Sequence, residues 1–294
     1  MQHAIVAGVA LLAAPALAQS VATTTIVEGE ALVVRGATRL VMVAGLPIQR
    51  GDILHTDERA FVRIEAAGGA IADIGPGSRL MVAPPDRRAG APFGEPFLLS
   101  GWLKLTLPAN ASGAAWTPHA ELREMAGVAV LHATDNETTA FVESGKARAL
   151  VRGDGAAPVA LAAGSFYQRK ARERAQVASR PAGSFLGALP RAFRDTLPSR
   201  LAQAAARKVQ PKSAGEVPYS EARDWLVTDV AVRRHLVQRW RGRLADPAFR
   251  SALVANMAAH PEWDPIVFPE KYKPKESKET GPEPGKDGAR KATP

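Results

Sequence analysis

Between residues 23 and 169 the chain consists of short apolar or alternating runs separated by Gly and Pro, the pattern of an all-β unit. Candidate strands cover 31–35, 39–43, 60–66, 70–74, 79–82, 97–107, 126–132, 139–143, 147–151 and 159–161. In the run 60–66, Val62, Ile64 and Ala66 fall on one face and Phe61, Arg63 and Glu65 on the other, as a half-buried strand requires. The longest run, 97–107, alternates Leu99, Gly101, Leu103, Leu105 and Leu107 against Ser100, Trp102, Lys104 and Thr106. Breakers such as Gly68-Gly69 and Gly75-Pro76-Gly77 reverse the chain between strands.

Two stretches resemble each other, 27–36 and 142–153, and each leads into a β run that closes on Ala-Gly, at Ala44-Gly45 and Ala163-Gly164. One strand-turn-strand unit used twice would let flat strand faces stack as in a roll or solenoid. Coincidence between two Val/Gly-rich strands fits the same letters.

After residue 169 the period changes. The stretch 170–217 carries Pro181, Pro190, Pro198 and Pro211, which leave room only for short helices, the best at 199–209; it reads as a linker. Trp225, Leu226, Val230, Leu236, Val237, Trp240 and Leu244 then recur at helical spacing. Asp246-Pro247 supplies an N-cap and a first-turn proline for a second helix with the stripe Phe249, Leu253, Val254 and Met257, closed by His260-Pro261. The region 218–269 is expected to be a helical hairpin packed against the β body. The apolar, proline-bounded segment 263–270 either packs back onto that body or inserts into a partner's groove.

The ends differ from both regions. Residues 4–18 form an uncharged Ala/Leu/Val run closing on Ala16-Leu17-Ala18, which predicts a signal peptide, residues 1–18, cleaved before Gln19. The run is shorter than the roughly 20 residues that span a bilayer. Residues 270–294, rich in Lys, Glu, Pro and Gly, are expected to be a disordered tail. The expected location is the periplasm or the exterior, and the mature chain is expected to have no integral membrane segment.

Composition narrows the chemistry. The 294 residues contain no cysteine, which excludes disulfides, thiol nucleophiles and thiolate-held metals. With 38 basic against 29 acidic side chains the net charge is +9, which favours anionic partners. The six histidines form no H-x-x-x-H or H-E-x-x-H pair, so no metal site is expected; they read as polar surface. Gly183-Ser184-Phe185-Leu186-Gly187 fails the nucleophile-elbow spacing, and Ser144-Gly145-Lys146 lacks the rest of a phosphate loop. The carboxylate pairs Glu121/Glu124 and Asp224/Asp229 read as solvated charge rather than acid/base machinery. No enzyme activity and no cofactor are expected.

Residues 28–80 resemble the FecR domain, a periplasmic module of anti-sigma regulators. The resemblance rests on the order Gly29, the strand 31–35, Gly45-Leu46-Pro47-Ile48, Gly51-Asp52-Ile53-Leu54-His55-Thr56, 60–64 and Gly75-Pro76-Gly77-Ser78. The later portion, 139–164, follows the family's form loosely. The resemblance implies a mainly β chain with some α: a FecR-like roll or solenoid-like domain at 23–169, followed by a small C-terminal helical hairpin. It also implies that Gly51, Asp52, Pro76 and Gly77 shape turns. The implied function is an exported, non-enzymatic sensing, scaffold or binding module; the alternative is an accessory regulator working with a separate membrane anti-sigma partner.

The basic cluster Arg233, Arg234, Arg239, Trp240, Arg241 and Arg243 is the candidate partner-binding surface. Guanidinium groups suit bidentate contact with phosphate or carboxylate, and Trp240 could stack on a sugar. The other reading places Trp240 on the buried stripe and leaves the arginines to solvate the opposite face. An envelope protein or an anionic wall component would be the partner, not nucleic acid.

Overall fold

A computed structural model of the protein describes residues 20–85, 91–152 and 157–273. The expected signal peptide and most of the expected tail lie outside them. Within them the chain is mainly β, with helices gathered towards the C-terminus.

The strands run in chain order as β1 (Ser20–Glu28), β2 (Ala31–Arg35), β3 (Thr38–Val41), β4 (Pro47–Gln49), β5 (Ile53–Thr56), β6 (Phe61–Glu65), β7 (Ile71–Ile74) and β8 (Arg79–Met81). There follow β9 (Phe97–Thr106), β10 (Gly113–Trp116), β11 (Ala120–Ala133), β12 (Glu137–Val151), β13 (Val159–Ala162), β14 (Phe166–Lys170), β15 (Gln176–Ala178) and β16 (Ser213–Glu216). Their hydrogen bonds resolve into two rows. The first reads β4-β1-β6-β7-β9-β11-β12-β14-β15, antiparallel throughout. The second reads β16-β3-β2-β5-β8-β9-β10-β11-β12-β13, antiparallel except where β10 meets β9.

Three long strands belong to both rows, and each changes row near a glycine with positive φ: Gly101 in β9, Gly127 in β11 and Gly145 in β12. A Cβ at Gly145 would lie 2.0 Å from the Ala126 carbonyl oxygen, and one at Gly101 would lie 2.4 Å from Ser78, so only glycine permits these bends. The bend also resets the side-chain alternation. The sequence pattern places Leu99 on the face of Leu103 and Leu105. In the fold, Leu98 joins Leu103 and Leu105 in the central core, and Leu99 turns outward beside Phe97, because Gly101 intervenes.

The resembling stretches occupy like positions. β1 and β2, split at Gly29, pair with β4 and β3; the two halves of β12, split at Gly145, pair with β14 and β13. Gly29, Gly45, Gly145 and Gly164 all take positive φ. Gly145 is therefore a bend within one continuous strand rather than the turn between two strands, 139–143 and 147–151, expected from the sequence.

Alternation then builds four layers. Inward residues of both rows, among them Val33, Leu54, Val62, Ile64, Leu103 and Leu131, form the central core. The outer face of the second row, with Val34, Ile53, Phe97 and Trp116, is covered by helices α3 (Tyr219–Val227), α4 (Val230–Trp240) and α5 (Pro247–Ala255), which follow the short α1 (Gly183–Ala188) and α2 (Leu201–Ala205). The outer face of the first row, with Ile26, Phe61, Trp102, Val130 and Phe166, is covered by Phe185 and Phe193 from the Pro-rich stretch. That stretch, read as a linker from sequence, is a strap laid over the sheet, and it contributes β15 and β16 to the row edges. The strap is also why every residue of β6 is buried, where alternation predicts a half-buried strand.

The helical region is more broken than a two-helix hairpin, with 3-10 turns at Arg241–Ala245 and Met257–Ala259 and a short helix at Asp264–Val267. The helix expected to open at Pro218 or Ser220 and carry the stripe to Leu244 breaks at Thr228-Asp229, where the Asp229 carboxylate accepts from the Ala231 N–H and caps α4. Asp246 caps α5 as its sequence predicts, accepting from the Ala248 and Phe249 amides. Trp263 and Val267 pack back onto these helices, with Trp263 fully buried.

Candidate functional site

The six residues of the basic cluster separate in space. Arg239 runs inward to the second row and donates to the carbonyls of Gly36 (2.8 Å), Gly51 and Val34. Burial holds its guanidinium down at about 10, a lowering that Asp52 opposes and Arg35 reinforces. Trp240 is 1% exposed, and its indole N–H donates to the same Gly36 carbonyl at 3.0 Å. Arg243 is buried beneath the Phe249 ring, donates to Val217 O, and pairs with Glu216 and Asp246. Arg233 pairs with Glu262 at 3.0 Å. Arg234 and Arg241 stand exposed on the solvent side. The structure thus brings Arg239 and Trp240 together on one turn of the second row and does not gather the cluster into one surface.

The turns that carry the family resemblance are structural in the same sense. Asp52 is buried, receives Arg35 in a bidentate pair (3.1 and 2.6 Å) and accepts from Gln49 N. Ser78 accepts from Trp102 N and donates to Gly75 O, locking the Gly75-Pro76-Gly77 turn against β9.

Between the strap and the first row lies a set of buried charges. Arg63 and Asp73 form a bidentate pair at 2.6 and 3.0 Å, with both side chains 4% exposed, and Arg63 also donates to Leu197 O. Lys104 pairs with Glu143 at 2.8 Å and donates to Phe193 O, while Glu65 accepts from Ser199 Oγ and Arg200 N. Burial pushes the Asp73 carboxyl up, against the pull of Arg63. These groups grip strap backbone, so they read as clamps.

A different polar group sits under the helices. His55, on β5, lies edge to edge with Trp225, the two ring planes within 7° of each other, and its Nε2 accepts from the indole N–H at 3.2 Å. Its Nδ1 lies 3.9 Å from Glu221 Oε2; the other carboxylate oxygen of Glu221 accepts from Arg39 at 2.6 Å. Both lie in the wall of a cleft of about 630 Å³ beside β2 and β3. Sequence reasoning reads His55 and His260 as surface, yet His260 is fully buried and His55 is 14% exposed at its side chain. The cover of His55 comes from Trp225 and Glu221, far along the chain, and a single line of sequence gives no signal of it. Asp224 and Asp229, read as solvated, pair across layers with Arg79 and Arg152.

Burial, with Arg79 and Arg39 close by, holds His55 down at about 4 from its ordinary 6.5. The folded protein therefore keeps His55 neutral where the unfolded chain takes up a proton, so its contribution to stability is full above pH 6.5 and is lost as pH falls towards 4. The expected slope for this group is about 1.4 kcal/mol per pH unit, and burial of His132 and His260 adds in the same sense. Urea unfolding at pH values of about 7, 5.5 and 4.5 measures it. His55→Phe, which keeps a ring beside Trp225, should flatten the slope by about one proton; an unchanged slope would contradict the buried neutral histidine.

Among the described residues no group of three or more His, Asp or Glu side chains is arranged to hold a metal ion, and no helix is long and apolar enough to cross a membrane. No protein-family model and no curated protein sequence matches the chain. Among solved structures, two crystal structures of a "putative anti-sigma factor" from Parabacteroides distasonis are similar in part. The first has a TM-score of 0.38 and 10% identity over 46% of this chain and 64% of that chain. The second has a TM-score of 0.37 and 8% identity over 44% and 59%. The chain thus spans less than two thirds of the length of either.

Proposed function

We propose that this chain is an exported, non-enzymatic FecR-type scaffold of the bacterial envelope that presents its helical layer to a protein partner or an anionic wall component. The observation that carries this reading is the composition of that layer's solvent side. Arg223, Arg234, Arg241 and Arg250 are exposed there together with Val227, Val230 and Val254, of which Val230 is 60% exposed. Exposed guanidinium groups suit carboxylate- or phosphate-bearing partners, and exposed apolar side chains on the same layer offer contact area to a protein. The buried charges support the same reading, because Arg63, Lys104, Arg239 and Arg243 donate to the backbone of other segments and so fix the layers in place.

Crosslinking in intact cells with a C-terminally tagged chain, followed by separation of soluble, inner-membrane, outer-membrane and wall fractions, tests this. The tagged protein should be recovered outside the cytoplasm with Gln19 as its first residue. Partner recovery should fall at least about tenfold, roughly 1.4 kcal/mol of affinity, when Arg234→Glu and Arg241→Glu are combined. Recovery of an inner-membrane regulator would favour the accessory-regulator reading. A cytoplasmic location, or recovery indifferent to both substitutions, would overturn the proposal.

A further inference from the structure

The strap crosses β1 at α2, and the crossing leaves a pocket of about 280 Å³ between them. Spacings of four and three residues put Arg200, Ala204 and Arg207 on one side of this short helix. A helix side turned to a sheet is ordinarily apolar. Here Ala204 is buried at the crossing, while the two arginines that flank it line the pocket and remain exposed. Both ends of this wall are fixed. Glu65 accepts from the Arg200 amide at 3.1 Å, which uses the backbone and leaves the guanidinium to the pocket. At the other end the strap closes on Gly45, whose φ is +100°. A Cβ on Gly45 would lie 2.8 Å from both Arg207 Cβ and Val209 Cγ2, so only glycine admits the strap this near.

The charges of the pocket fix the kind of molecule. Glu28, at the end of β1, lines it as well and is exposed, and Ile26, Val27 and Ala44 add apolar surface. Among the described residues the side chains of Glu28, Arg200 and Arg207 make no ion pair or hydrogen bond, with one another or with any other group. Between strap and sheet elsewhere, unlike charges do pair, as Arg63 does with Asp73 and Lys104 with Glu143. Unlike charges that share a pocket without meeting suit a molecule that carries both signs. A guanidinium takes a carboxylate in bidentate fashion, and a carboxylate accepts from an ammonium.

We propose that this pocket binds a small zwitterion of the amino-acid type, its carboxylate received by Arg200 and Arg207, its ammonium by Glu28, and its side chain laid against Ile26, Val27 and Ala44. A bare anion meets the repulsion of Glu28, and a bare cation that of two guanidinium groups. The site goes beyond the scaffold role, and its residues are separate from the exposed arginines that carry that role.

The test is calorimetric titration of the full chain with leucine, with isocaproate, which lacks the ammonium, and with isopentylamine, which lacks the carboxylate. Leucine should give a saturable heat, and each analogue should bind at least about tenfold more weakly. Glu28→Gln should weaken leucine about tenfold and leave isocaproate bound no more weakly, because it removes the partner of the ammonium together with the repulsion of the carboxylate. Arg200→Gln combined with Arg207→Gln should weaken leucine about tenfold. All three positions are exposed, so the variants should keep the wild-type urea midpoint. No saturable heat, isocaproate bound as tightly as leucine, or leucine binding untouched by Glu28→Gln or by the paired arginine changes would overturn the proposal. Each of these results would leave partner recovery in cells, and its dependence on Arg234 and Arg241, as it was.

Discussion

Asp73→Ala is expected to destabilise the protein by about 3–5 kcal/mol, because it leaves the Arg63 guanidinium buried without its carboxylate. The loss should be local in its first consequence. Arg63 holds the strap through Leu197 O, and Lys104 and Glu65 hold neighbouring strap backbone, so a misplaced Arg63 loosens the cover over Phe61, Trp102 and Phe166. Urea unfolding gives the magnitude, and limited proteolysis should show new cleavage between residues 181 and 200 ahead of global unfolding. The double variant Arg63→Met/Asp73→Leu separates the ion pair from its burial. Replacing both charges with apolar groups should restore most of the stability, since the penalty lies in the orphaned charge. A single variant that costs under about 1 kcal/mol would mean that water reaches the pair and that the strap is no true layer of the fold.

Trp240→Ala is expected to cost about 3–5 kcal/mol, the range for emptying a large buried aromatic site. Its ring packs with Leu236, Phe249 and Trp263 between helices and sheet, and its N–H satisfies Gly36 O beside Arg239. Arg241→Glu, the next residue in sequence, should change stability by no more than about 0.5 kcal/mol, as an exposed substitution does. Measured side by side by chemical unfolding, the two variants divide the basic cluster into its interior and exterior parts. A Trp240→Ala protein of wild-type stability would return Trp240 to the candidate binding surface.

Much of the architecture could be read from period and punctuation. Val62, Ile64 and Ala66 announce one core face of β6, Asp246-Pro247 announces the start of α5, and the two resembling stretches occupy like positions, each split at a glycine of positive φ and pairing with two strands of its own. The strands expected from sequence do not include β1, β4, β5, β10, β14, β15 or β16, and β11 extends well beyond the expected 126–132, because short or polar runs such as Thr23–Thr25, Gln168–Lys170 and Glu121–Glu124 do not alternate clearly in polarity. The turn reading of Asp52 and Ser78 agrees with their bonds, since short polar side chains beside glycine fold locally.

The sequence by itself determined the β character of residues 31–162, the helical character after residue 218 and the absence of cysteine chemistry, because each depends on neighbours a few positions away or on composition alone. Only the tertiary structure decided which charges are interior. Arg239 and Arg234 look alike in a basic helix, yet one runs inward to carbonyls about 200 positions earlier in the chain and the other lies exposed at the surface. His55 becomes a buried neutral ring only when Trp225 and Glu221, brought from 170 and 166 positions away, close over it. Burial and hydrogen-bond partnership over such separations are properties of the assembled layers, and local pattern carries no record of them.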